Sequence, residues 1–241
     1  MRNNFIFYLI FFIVFIYKSS LMAEELEINS SKMSVDKKNE VITLEGNVEA
    51  KDEKNNKLFS ESAKYNKLNE LINTFGKTEI ITSEGYKIMG ENISYDGKNK
   101  IISSNNETII VDKDGNKIFV EMFNYFTNKN MFFSKGNINI QDINNNKYYF
   151  SEIYIDEKKE KIVGSDVKAF LDQEDIKINK NNEPRFFANT MVLTKQKSEI
   201  SKGVFTYCKD RGEEKCPPWI LQSEKIEHDI AEKTIYYKDA T

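Results

Sequence analysis

One histidine, two cysteines and a ladder of glutamates are the residues of this chain whose types could do chemistry. His228 with Cys208 and Cys216 supplies the atoms of a zinc site, but their spacing matches no known ligand pattern. Glu61, Glu91, Glu121 and Glu152 recur at intervals of 30, 30 and 31 residues. A stacked carboxylate row can bind calcium, yet calcium-binding repeats carry denser Gly and Asp turns than this chain does. The ladder therefore reads as solvated or turn-capping. No Gly-rich phosphate loop follows a strand and opens a helix, and no serine sits in a nucleophile elbow. Charged residues make up 30% of the chain, enough to produce many accidental carboxylate pairs. The expectation is no enzyme: no catalytic residue, no metal and no cofactor.

The glutamates belong to a larger repeat. Four places after the first three of them stand Tyr65, Tyr95 and Tyr125, and Asp156 takes that place in the fourth unit. Gly46, Gly76 and Gly136 share one phase, with Asn106 in the gap and Gly164 slightly early. Turn-forming clusters recur at Asn55-Asn56, Glu84-Gly85, Asp114-Gly115-Asn116 and Asn144-Asn145-Asn146. Between them lie short runs rich in Ile, Val, Thr, Phe and Tyr that read as two strands per unit. His228 falls at the repeat position of Tyr95, which makes it a packing or rim residue.

The columns of the repeat predict an inward face. Ile42, Ile72, Ile102, Phe132 and Ile162 form one column; Ala50, Ile80, Ile110 and Ile140 form another. A third is read in the second strand as Phe59, Met89, Phe119 and Phe150. A one-residue slip would turn such a face outward, so agreement among units argues for a fixed register. Smaller residues, among them Thr74, Ser104 and Ser134, sit between the wide ones. Two readings stand: an ordinary dry solenoid core, or an incompletely closed apolar interior with room beside the narrow side chains.

Arg2 and the apolar run Phe5 to Tyr17 have the form of a secretory leader too short to span a bilayer, with cleavage expected after Ala23. The bulk of the chain is then outside the cytoplasm, where two cysteines can oxidise. Net charge is −3 with the signs interspersed, so no basic stripe suits nucleic acid. The domain reading is a leader over 1–23 and one β domain over 24–241, its repeat clearest over 33–164.

The end of the chain is less repetitive. It carries Phe205-Thr206-Tyr207-Cys208, Cys216-Pro217-Pro218-Trp219, Lys225-Ile226-Glu227-His228-Asp229 and Ile235-Tyr236-Tyr237-Lys238-Asp239-Ala240. The strand-pair repeat with recurring Gly and Asn resembles the OstA fold of the lipopolysaccharide transport proteins LptA, LptC and the amino-terminal domain of LptD. The block over 203–241 resembles more specifically the end of the LptD periplasmic domain. What the resemblance implies is an all-β, twisted, partly open jelly roll. It would sit in the periplasm beside the outer membrane and pass lipopolysaccharide acyl chains along its interior. The lining candidates are then the three columns, Ala50 excepted, together with Leu44, Val48 and Ile138. The implied partners are lipopolysaccharide, an LptA-like bridge protein docked by edge-strand stacking, and an outer-membrane barrel with its LptE-like plug. No barrel sequence follows Thr241 here. In that family disulfides join the periplasmic domain to the barrel. Cys208 would match the end-of-domain cysteine, with Cys216 as its local partner or as a second bridge. Trp219 reads as a plug of the domain end, with a membrane-interface anchor as the alternative.

Overall fold

A computed structural model describes residues 27–53, 55–171, 182–194, 196–208, 219–229, 232 and 234–241. The predicted leader lies outside the described residues, and so does Cys216. Every regular element among the described residues is a strand, and the strands form one continuous sheet.

Each repeat unit supplies two antiparallel passes. β1 (Glu27–Asn29) and β2 (Lys32–Asp36) lie end to end along β3 (Val41–Lys51), followed by β4 (Lys57–Asn66) and β5 (Leu71–Ile81). The next three passes are each broken in two. They are β6 (Lys87–Glu91) with β7 (Ser94–Asp96), β8 (Ile101–Ser104) with β9 (Thr108–Val111), and β10 (Lys117–Val120) with β11 (Phe123–Phe126). Unbroken passes resume with β12 (Met131–Gln141), β13 (Lys147–Asp156) and β14 (Lys161–Phe170). β15 (Glu183–Leu193), β16 (Lys197–Cys208), β17 (Leu221–Asp229) and β18 (Thr234–Ala240) complete the meander.

Turn chemistry sets the length of every pass. At one end Asp36 Oδ1 accepts the Lys38 and Asn39 amides, and Asp96 repeats the bond with the Asn99 amide. Each of these turns closes on a left-handed residue: Glu40, Glu70, Lys100, Asn130 and Glu160, with φ between 47° and 57°. At the other end Asp112 and Asp142 each accept a backbone and a side-chain bond from the Asn four residues on. The Asn side chains then tie turn to turn, since Asn56 Oδ1 accepts the Ser83 amide and Asn116 Oδ1 the Ile143 amide. Such side-chain-to-backbone bonds explain why Asp and Asn recur at these positions.

Midway along the passes runs a row of kinks. Gly46, Gly76 and Gly136 have φ of +73°, +77° and +111°, and Asn47, Asn92, Asp166 and Lys202 share the left-handed region. Register shifts fall at the same place, between Glu45 and Val48 and between Lys135 and Ile138. A β-bulge bends its strand, and a bulge repeated in pass after pass creases the whole sheet. The two rows of turns thereby approach each other. Lys113, in a turn at one end, lies 3.4 Å from Glu160, in a turn at the other. Burial first, then the nearby Glu157 carboxylate, push the Tyr86 phenol up to about 12, although these residues belong to opposite rows of turns. The sheet is folded over on itself, with its apolar face inside.

Candidate functional site

The inner face carries two unbroken cross-strand rows, one on each side of the crease. The first pairs Ala50 with Leu58, Leu58 with Ile80, Ile80 with Ile88, and Ile88 with Ile110. It continues through Ile118, Ile140, Tyr148 and Ala169. The second runs Ile42, Tyr65, Ile72, Tyr95 and Ile102, then Tyr125, Phe132, Ile155 and Ile162. No charged residue interrupts either row. Burying one such aliphatic side chain contributes about 1.5–3 kcal/mol, so these rows are the main driving force for closing the fold.

Most of the predicted lining residues lie in these rows or beside the crease. Leu44, Val48, Ile72, Ile80, Ile110, Phe132, Ile138, Ile140 and Phe150 are buried, and Ile42, Ile102 and Ile162 are half-buried on the same face. Three are not inside. Phe59 pairs with Glu49 and Glu79, Met89 with Glu79 and Ile109, and Phe119 with Ile109 and Asn139, all on the outer face. The third column of the sequence reading is thus corrected. Its inward members are Leu58, Ile88 and Ile118, one residue earlier, and Tyr148, two residues before Phe150, which lies in the row of Ser60, Gly90 and Val120. The missed residues Ile93, Phe123 and Ile153 also face inward, the last two with no exposed surface. Their 30-residue spacing was the available signal.

The narrow side chains do something other than leave space. Thr74, Ser104 and Ser134 sit buried beside the crease. Ser134 Oγ donates to the Met122 carbonyl at 2.7 Å, and Thr74 Oγ1 to the Ile93 carbonyl at 2.9 Å. Ser60, Thr78 and Thr74 form a buried hydroxyl chain with links of 3.1 and 2.8 Å. They satisfy backbone groups that the kinks remove from the ladder, which a buried crease requires.

Glu121 caps the crease from outside. Glu121 Oε1 accepts the Asn137 side-chain amide at 2.7 Å, and Oε2 accepts the Asn137 backbone amide at 3.2 Å. The Asn137 side chain, then its amide, hold the Glu121 carboxyl below its usual range. A Cβ on Gly136 would lie 2.8 Å from Glu121 Oε2, so the glycine makes room for the carboxylate. Glu121 thus caps a strand kink rather than a turn. Among the described residues no group of acidic, His or Cys side chains is arranged to hold a metal ion.

The remaining candidates lie towards the chain end. Cys208 is buried, with Arg185 Nη2 donating to its Sγ at 3.4 Å; its pairing with Cys216 falls outside the described residues. His228 stands in β17 opposite Ser198 and Ile235. Trp219 packs edge-on against Phe205, with ring centroids 6.0 Å apart, and its carbonyl accepts the Thr206 hydroxyl.

Among solved structures the chain is similar to LptH from Pseudomonas aeruginosa, the LptA-homologous periplasmic component of the lipopolysaccharide transport device. Identity is 15%, coverage 55% of this chain and 76% of that one, and the TM-score 0.26. No curated protein matches. The family described as OstA-like protein matches residues 21–180, well over half of the chain. This chain belongs to the OstA-like family.

Proposed function

We propose that the chain is a periplasmic component of lipopolysaccharide transport, and that its inner face carries acyl chains while performing no chemistry. Family membership supports the class of function. The observation that carries the mechanism is the pair of uncharged apolar rows crossing every pass from β3 to β14. A row of aliphatic and aromatic side chains repeated from pass to pass binds each CH₂ group with about 0.8 kcal/mol at every step, which suits passage better than storage. Between the rims that would admit lipid, the Lys113–Glu160 pair is roughly half-exposed, and such pairs contribute about 0–1 kcal/mol. Opening would hinge at the left-handed kinks.

The finer placement follows the resemblance of residues 203–241 to the end of the LptD periplasmic domain. On that reading the chain receives lipopolysaccharide from an LptA-like bridge and hands it towards an outer-membrane barrel with its LptE-like plug. The edges favour a second placement, as a bridge component like LptA or LptC. Among the described residues β2 pairs only with β3, all five of its residues are exposed, and β18 pairs only with β17. Unpaired edges of this kind accept a further strand.

Photo-reactive residues at Ile102 and Phe132 test the mechanism in cells. Capture of lipopolysaccharide from these positions is expected. Capture only from Lys113 on the rim would show that lipid never enters. Closure around Phe123, Ser134 and Ile153 favours a dry structural solenoid as the competing reading, and solvent extraction of the exported protein that releases no lipid would select it.

A further inference from the structure

The outer face is furrowed. Two cavities of about 840 and 690 Å³ run beside the crease and share Met89. Their floor is a cross-strand line in which Met89 pairs with Ile109 and Ile109 with Phe119, flanked by Phe59 and Tyr149. Ile109 and Tyr149 are each 37% exposed, so the floor is apolar and open to solvent. The walls are acidic. Glu49, Glu61, Glu79 and Glu91 line one cavity and Glu107 and Glu121 the other, with Lys77 the only cation among the described residues that line either. Lys87 pairs with Glu79 at 2.9 Å.

We propose that this furrow docks a basic amphipathic helix of a partner protein. An apolar floor under carboxylate walls repels a phosphorylated lipid and attracts a segment carrying Lys or Arg beside apolar residues. The repeat sets the spacing. Glu61, Glu91 and Glu121, and likewise Phe59, Met89 and Phe119, stand on alternate passes of the sheet, hence about 9.6 Å apart at the usual strand separation. A helix rises about 10.5 Å in seven residues, so one cation and one apolar anchor per heptad meet successive units. Hydrogen-bonded capping keeps Glu121 in place and ionised without filling the furrow.

The test is a labelled 22-residue helical peptide with Leu and Lys on heptad spacing, titrated against the full exported chain by fluorescence anisotropy. Saturable binding is expected. It should weaken at least tenfold with Met89→Ser/Phe119→Ser and several-fold with Glu49→Gln/Glu107→Gln, while circular dichroism melts confirm that both variants fold. A companion peptide with Glu for Lys should not bind. Equal binding of the two peptides, or a Lys peptide indifferent to Met89→Ser/Phe119→Ser, overturns the proposal. Sedimentation and anionic phosphatidylglycerol vesicles distinguish other occupants. Loss of a dimer, or of vesicle binding, in the furrow variants would assign the surface to a second copy or to lipid and overturn it as well.

Discussion

The inner and outer faces of the same strands both carry large apolar side chains, yet they solve different problems. Inside, Ile80, Ile88, Ile110 and Ile118 meet only other apolar side chains. Outside, one residue away, Glu49, Phe59, Glu79 and Met89 alternate charge with bulk before Ile109 and Phe119 continue the row, and they stay in reach of solvent. The crease makes the difference, because it folds one face against itself and leaves the other as a furrow. Apolar character alone therefore does not define an interior here; the register does.

Truncation on either side of that boundary should separate the faces most sharply. Phe123→Ala removes a ring with no exposed surface that stacks on Phe132 at 5.7 Å. The expected cost is about 3–5 kcal/mol in urea unfolding. Phe119→Ala, on the outer face, should cost under about 1 kcal/mol. Equal losses would mean that the furrow is as closed as the core.

The crease itself comes next in size. Gly136→Ala places a side chain at φ +111° and 2.8 Å from the Glu121 carboxylate. A cost of about 1–3 kcal/mol is expected from that backbone region. Pairing it with Glu121→Ala should recover the part due to contact and leave the part due to φ. Full recovery would show that the kink tolerates a Cβ, and the crease would then need another cause.

How much of this was legible depends on the kind of signal. The 30-residue repeat, the all-β class and the Ile42 and Ile80 columns could be read because bulky residues recur there and smaller or polar ones flank them. The second strand misled because Leu58-Phe59, Ile88-Met89, Ile118-Phe119 and Tyr148-Tyr149 are adjacent large residues, so alternation gives no phase. Phe150 was drawn into the wrong row by its ring, in a unit lengthened to 31 residues between Glu121 and Glu152. The recurring glycines showed their period but not their meaning, since a left-handed kink and an ordinary turn ask for the same residue. Closure of the sheet was not legible at all. The ion pair between opposite rows of turns, Lys113 with Glu160, joins residues that no local pattern connects.

The smallest effect is the one that reports opposite signs from the two faces. Glu121, outside, has its carboxyl lowered by Asn137. Its contribution is present above the unfolded carboxylate value and is lost as pH falls through the lower folded value. Glu157, at the inner rim, has its carboxyl raised by burial, a push that the Tyr125 hydroxyl at 2.8 Å only partly offsets. Its contribution is present in acid and is lost as pH rises through the higher folded value. Glu157→Gln keeps an acceptor for Tyr125 without a charge to bury, so the variant should melt higher than the parent at neutral pH and equally in acid. Glu121→Gln loses the charge that receives the two Asn137 bonds, so it should melt lower at neutral pH and approach the parent in acid. Melting curves between pH 3 and 8 check both, and two variants moving in the same direction would show that the faces do not differ in how they hold a carboxylate.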